Sequence, residues 1–185
     1  MAELLDIYDA SGRCIGQAPR SKCHGDPSLL HRTAHVVVVH PASGAILLQK
    51  RVMSKDIQPG KWDTAVGGHL DPGESYEEGA RREMREELGI AGELEYLFDS
   101  AIRNEIESED TRVFGLKSAG PFAFDPAEID EVRFWSRDEL EDPEARRQFT
   151  PNLIAELEKL KHLSGWYPEH RDCSTQEEIW EKSRF

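Results

Sequence analysis

The run GHLDPGESYEEGARREMREELGI, from Gly68 to Ile90, crowds carboxylates onto one short stretch of a chain whose formal net charge is already −13. Asp71-Pro72-Gly73 breaks the backbone, Ser75 followed three residues later by Glu78 makes a capping box, and Gly89 supplies a C-cap. A helix is therefore predicted between them. At about 3.6 residues per turn, Tyr76, Ala80, Met84 and Leu88 fall on one stripe that should bury against a sheet. Opposite lie Glu78, Arg81 and Arg85, a solvated face on which Glu78 is expected to pair with Arg81 or Arg82. Glu83, Glu86 and Glu87 fall beside the apolar stripe, where desolvation makes their mutual repulsion costly unless cations offset it. Hard divalent ions with oxygen ligands, Mg²⁺ or Mn²⁺, suit that position. Gly79, one turn before Glu83, is expected to leave room for a ligand. The competing reading is a charged surface helix whose acids happen to cluster.

The same stretch satisfies G-x5-E-x7-R-E-U-x-E-E-x-G-U, with U a bulky aliphatic, through Gly68, Glu74, Arg82, Glu83, Met84, Glu86, Glu87, Gly89 and Ile90. A chance match is on the order of one in a billion per starting point. On this box the chain resembles the Nudix hydrolase superfamily, and the resemblance extends over nearly its whole length. It implies a Nudix fold and Mg²⁺- or Mn²⁺-dependent hydrolysis of a diphosphate linkage, in a nucleoside diphosphate joined to another moiety. It also implies metal ligation by Glu83, Glu86 and Glu87, joined by the Gly67 carbonyl, with Arg82 orienting the glutamates and Glu74 holding the loop or assisting at the metal. The general base is open among Glu83, Glu105, Glu107, Glu128 and Glu131.

Around the box the chain alternates strands and helices without strict βαβ periodicity. LLDIYDASGRCIGQAPR reads as a hairpin turning at Ala10 to Gly12. A β-branched strand follows from His31, then a Pro-Ala-Ser-Gly turn, a strand from Ala45 to Gln49, and the single short strand DTAVGGHL. ELEYLFD, RVFGLKS and EVRFWS read as further strands, and PNLIAELEKLKHL as an amphipathic helix opened by Thr150 and Pro151. The expected fold class is α/β in the α+β sense, a mixed sheet sandwiched between helices. Its expected organisation is an N-terminal hairpin or arm over 1–28, one catalytic domain over 29–163, and a tail over 164–185. The tail carries Trp166, Tyr167 and Trp180 and should pack on the domain or on a second subunit, which leaves a homodimer open. Trp62, Tyr96, Phe98, Phe114 and Trp135 are either core or a source of base-stacking rings.

The acidic balance argues against nucleic acid polymers and anionic membranes as partners and leaves a small diphosphate molecule. The N-terminus lacks the basic start and apolar run of a signal peptide, so a cytoplasmic location is expected. Cys14, Cys23 and Cys173 are odd in number and widely spaced, as expected of reduced thiols.

A narrower resemblance rests on His24, His31, the KRVMSK and PGKWD segments, and His69 in GGH: these are similar to the isopentenyl-diphosphate isomerases and their hydrolase-like relatives. It implies that Arg51 and Lys55, with Gly68 and His69, contact the diphosphate, and it raises His24, His31 and His69 as metal ligands. The isomerases place a catalytic cysteine where this chain has Gly67, and their second acid aligns with Arg112. Hydrolase is the expectation; an isomerase-like enzyme and a catalytically inactive binding module are the alternatives.

Overall fold

The computed structural model describes residues 3–55 and 57–169. A hairpin of β1 (Leu4–Tyr8) and β2 (Cys14–Pro19) leads through the one-turn helix α1 (Arg20–Cys23) into β3 (Leu30–Val39), β4 (Ile46–Arg51), β5 (Trp62–Thr64) and β6 (Val66–His69). Helix α2 (Tyr76–Leu88) follows, then β7 (Glu95–Arg103), β8 (Ser108–Lys117), β9 (Ile129–Trp135), α3 (Arg137–Glu141), α4 (Pro143–Arg146) and α5 (Pro151–Leu160).

The β-branched run of β3 sits at the centre of a seven-stranded mixed sheet, parallel to β8 and antiparallel to β4 and β6. Strand alternation divides its side chains between two cores. Ala34, Val36 and Val38 join Ala80, Met84 and Leu88 of α2, whereas Val37 and Val39 join Leu153, Leu157 and Leu160 of α5. Helices thus cover both faces of the sheet, as the sequence predicts. Trp62, Phe114 and Trp135 are core residues, and Tyr96 is exposed.

The segment expected as the single strand DTAVGGHL is two strands. β5 pairs with β4, and β6 pairs with the first half of β3 through Thr33–Val36, leaving only Val38 and Val39 to β4. β3 thus changes partner at Val37, and an opening lined by His35, Gln49 and Gly67 borders all three strands. Among the described residues no helix is long and apolar enough to cross a membrane. Trp166 and Tyr167 are buried against the α5 face, while Cys173, Trp180 and the rest of the tail from 170 lie outside the described residues.

Candidate active site

Ser75 caps α2: its Oγ accepts from the Glu78 N–H at 3.3 Å, and the Glu78 carboxylate accepts from the Ser75 N–H at 2.9 Å. Gly89 ends the helix in a left-handed conformation. Two local expectations are corrected. Arg81 pairs with Glu77, not Glu78, at 2.8 Å, one helical turn away. The space at Gly79 is filled by the protein itself, since a Cβ there would meet Leu70 Cγ at 3.2 Å and Glu74 Oε2 at 3.1 Å.

Arg82 gathers the acids of the box. It donates to Glu74 at 3.0 and 2.9 Å, to Glu83 at 2.7 Å, to Glu86 at 3.1 Å and to the His69 carbonyl at 2.8 Å. Glu74 also accepts from the Asp71 N–H at 2.9 Å, which fixes the loop ahead of α2. Gly68 lets the Glu83 carboxylate lie against the β6 backbone, because a Cβ there would fall 2.1 Å from Glu83 Cδ. Glu87 turns inward, accepting from the Gly67 N–H at 3.1 Å and the Gln49 amide at 3.2 Å. Burial, then the Glu83 charge, pushes its carboxyl up to about 8 against the opposing pull of Gly67, Lys55 and Gln49. Glu83 is also raised, by burial, with Arg82 opposing.

A raised carboxyl stabilises the fold below its unfolded pKa and loses that contribution as pH climbs through the folded value. With chelator present, the thermal midpoint should therefore fall between about pH 5 and about pH 8. His35, raised for a separate reason, adds to the upper part of this decline. A melting series on wild type and Glu87→Gln isolates the Glu87 share: the variant should show the shallower slope, and equal slopes would refute it.

A second cluster stands across the opening. His24, His31, His69 and Glu109 bring their ligand atoms within 4.8 Å of one another, the one such group among the described residues. His24 Nε2 and His69 Nε2 are 3.1 Å apart, while Glu109 Oε1 is 3.2 Å from His31 Nε2 and 3.4 Å from His69 Nε2. Ligand atoms around an ion bound at about 2.0–2.2 Å sit about 3.3–3.6 Å apart in a tetrahedron, so the donor set fits a divalent metal that accepts imidazole. Burial raises Glu109, but hydrogen bonds to His31 and His69 outweigh it and hold the carboxyl well below the usual range.

This cluster corrects the placement of the second acid. In the parallel register Glu109 stands opposite His31, and Arg112, three residues on, points to the other face of the sheet, where it binds Asp99 at 2.7 and 3.0 Å. The acid beside the histidines is Glu109, not Arg112. The departure expected at Arg112 is thereby withdrawn, whereas Gly67 still stands where a catalytic cysteine is expected of an isomerase.

Both clusters border one cavity of about 130 Å³, lined also by Arg51, Lys55, Gln49, Gly67 and Glu107. Arg51 is held by the Ile57 carbonyl at 3.1 Å and by Asp63 at 3.4 Å, and Lys55 is ion-paired with the exposed Glu128. Of the candidate bases, the buried Glu107 lines this cavity, raised by burial and by Glu109, and Glu83 lies behind the lining, against Gly68. Glu105 and Glu131 are exposed, and neither lines this cavity.

The sequence model described as the NUDIX domain matches residues 29–157. A Yersinia pestis protein described as an uncharacterised Nudix hydrolase is 41% identical over 169 residues, covering 89% of this chain and 85% of its own. An isopentenyl-diphosphate Delta-isomerase of Streptomyces griseus is 33% identical over 176 residues, covering 89% and 88%. The crystal structure of a Deinococcus radiodurans protein superposes with a TM-score of 0.69 at 25% identity, covering 84% of this chain and 96% of that one.

Proposed function

This chain belongs to the Nudix family, and from that premise we propose that it is a Mg²⁺- or Mn²⁺-dependent pyrophosphohydrolase cleaving the phosphoanhydride of a nucleoside diphosphate derivative. The observation that carries this reading is Glu87, a half-buried carboxylate crowded by Glu83 at the edge of a cavity that also presents Arg51 and Lys55. Divalent cations at Glu83, Glu86, Glu87 and the Gly67 carbonyl would neutralise the diphosphate oxygens and acidify an attacking water. Arg51 and Lys55 bind the diphosphate, assisted by the Gly68 backbone and His69. Arg82 and Glu74 keep Glu83 and Glu86 in place. Water attacks one phosphorus, the anhydride P–O bond breaks with its electron pair going to the leaving phosphate, and the water proton passes to Glu83 or Glu107. A screen of nucleoside diphosphate conjugates, nucleoside triphosphates and prenyl diphosphates with Mg²⁺, reading products by mass, tests the proposal. Products split at the anhydride are expected, and a panel left wholly intact would refute it.

A second reading, an isomerase-like enzyme, is favoured by the cluster of His24, His31, His69 and Glu109. Isomerising an alkene requires one group to deliver a proton to carbon and another to remove one. Glu109 is a carboxylate able to accept a proton, but Gly67 has no side chain to deliver one. Incubation with isopentenyl diphosphate should therefore yield no dimethylallyl diphosphate, and its formation at enzymatic rates would overturn the hydrolase reading.

A further inference from the structure

His35 interrupts an apolar strand face. On β3 it shares the α5 side of the sheet with Val37 and Val39, yet its partner is an acid: Nδ1 lies 2.6 Å from Glu156 Oε1. Glu156 comes from α5, where the spacing that turns Leu153, Leu157 and Leu160 inward turns it inward too, and it is 2% exposed. Its second oxygen accepts from Thr64 Oγ1 at 2.5 Å, which fixes the carboxylate and hence the imidazole plane. Buried ion pairs contribute little stability compared with apolar residues of similar volume. Packing alone gives no reason for a histidine and a glutamate between these cores.

The other edge of the ring faces the cavity. His35 pairs across the sheet with Gly67, and a Cβ at residue 67 would meet His35 Nε2 at 3.1 Å and Cδ2 at 3.0 Å. The imidazole thus lies against the space that a side chain at position 67 would take. No hydrogen bond to Nε2 is present among the described residues, and His35 lines the cavity with Arg51 and Lys55.

We propose that His35, clamped by Glu156 and Thr64, is a diphosphate-binding residue whose Nε2–H donates to a phosphoryl oxygen of the substrate. The charge on the ring fits the role. The Glu156 carboxylate, 2% exposed and held 2.6 Å from Nδ1 with Thr64 on its other oxygen, pairs with a cationic ring, and such a ring carries a proton on Nε2 as well. A ring protonated at both nitrogens donates and does not accept, so His35 binds the anion without competing with Glu83 or Glu107 for the water proton. Gly67 acquires a role in the same stroke: it makes room for this ring. The assignment rests on the hydrolase reading for its substrate class.

The test uses full-length, ¹⁵N-labelled protein with Mg²⁺ and methylenediphosphonate, a diphosphate that cannot be hydrolysed. In long-range ¹H–¹⁵N spectra the His35 Nε2 signal, identified by its loss in His35→Gln, should shift on saturation. Calorimetric affinity for the probe should fall roughly tenfold to a hundredfold in His35→Gln, and less in Glu156→Gln, which keeps the ring but weakens its charge. His162→Gln, at an exposed position, should bind like wild type. An Nε2 signal that does not move when wild type is saturated, or wild type that binds no probe, overturns the assignment without reference to any variant's stability. Probe binding at His35 in a protein that cleaves no member of the diphosphate panel would support this assignment and refute the hydrolase reading, so the two fail separately.

Discussion

Glutamine at position 87 should lower turnover at saturating Mg²⁺ by at least about a hundredfold, the scale of losing one electrostatic contact to a transition state. Glu86→Gln should also fall by orders of magnitude, and Glu78→Gln should stay near wild type. All three substitutions keep size and helix propensity while removing one anion. Glu78 is exposed and engaged in the capping box, and glutamine also serves at that position. Glu87 is half-buried and held by Gly67 and Gln49, and Glu86 shares Arg82 with Glu83. In chelator at about pH 8, the Glu87→Gln protein should melt above its parent, because the parent must ionise a carboxyl raised to that range. The Glu86→Gln gain should be smaller, since Glu86 stands in solvent. Steady-state kinetics and melts on the three variants check both statements; equal activity losses in all three would return these glutamates to a surface-charge role.

Removing divalent cations should abolish hydrolysis, and adding Mg²⁺ or Mn²⁺ should raise the thermal midpoint. A cation that binds the folded protein and not the unfolded chain stabilises it by mass action, by about 2.7 kcal/mol at one hundred times the dissociation constant. That is a shift of roughly 5–11 °C for a chain of this size. The effect should shrink in Glu87→Gln, where the site has lost an anion. Full activity in excess chelator, or no change of midpoint with Mg²⁺, would contradict the cation's role.

The helix of the box was legible because its signals are local. Ser75, Glu78 and Gly89 define its ends within a few turns, and the box spacing places Arg82 among its acids. What sequence reading missed is non-local. Glu109 meets His31 across 78 positions through the parallel β3–β8 register, and simple alignment chose Arg112, which strand alternation turns to the opposite face. Glu107 and Glu109 do alternate in ESEDTR, a period that could have flagged one carboxylate face beside the histidines. The His35–Glu156 pair spans 121 positions and has no motif. The break of DTAVGGHL at Ala65 was equally hidden, because it arises from two strands competing for one edge of β3.

Solvent oxygen labelling tests the central claim most directly. With Mg²⁺ in ¹⁸O-enriched water, the substrate found in the panel should give two phosphate-bearing products, one of them carrying a single solvent oxygen on phosphorus, and neither should form in chelator. An intact diphosphate with no ¹⁸O on phosphorus, alongside a shifted carbon–carbon double bond, would contradict hydrolysis and identify the isomerase reading as correct.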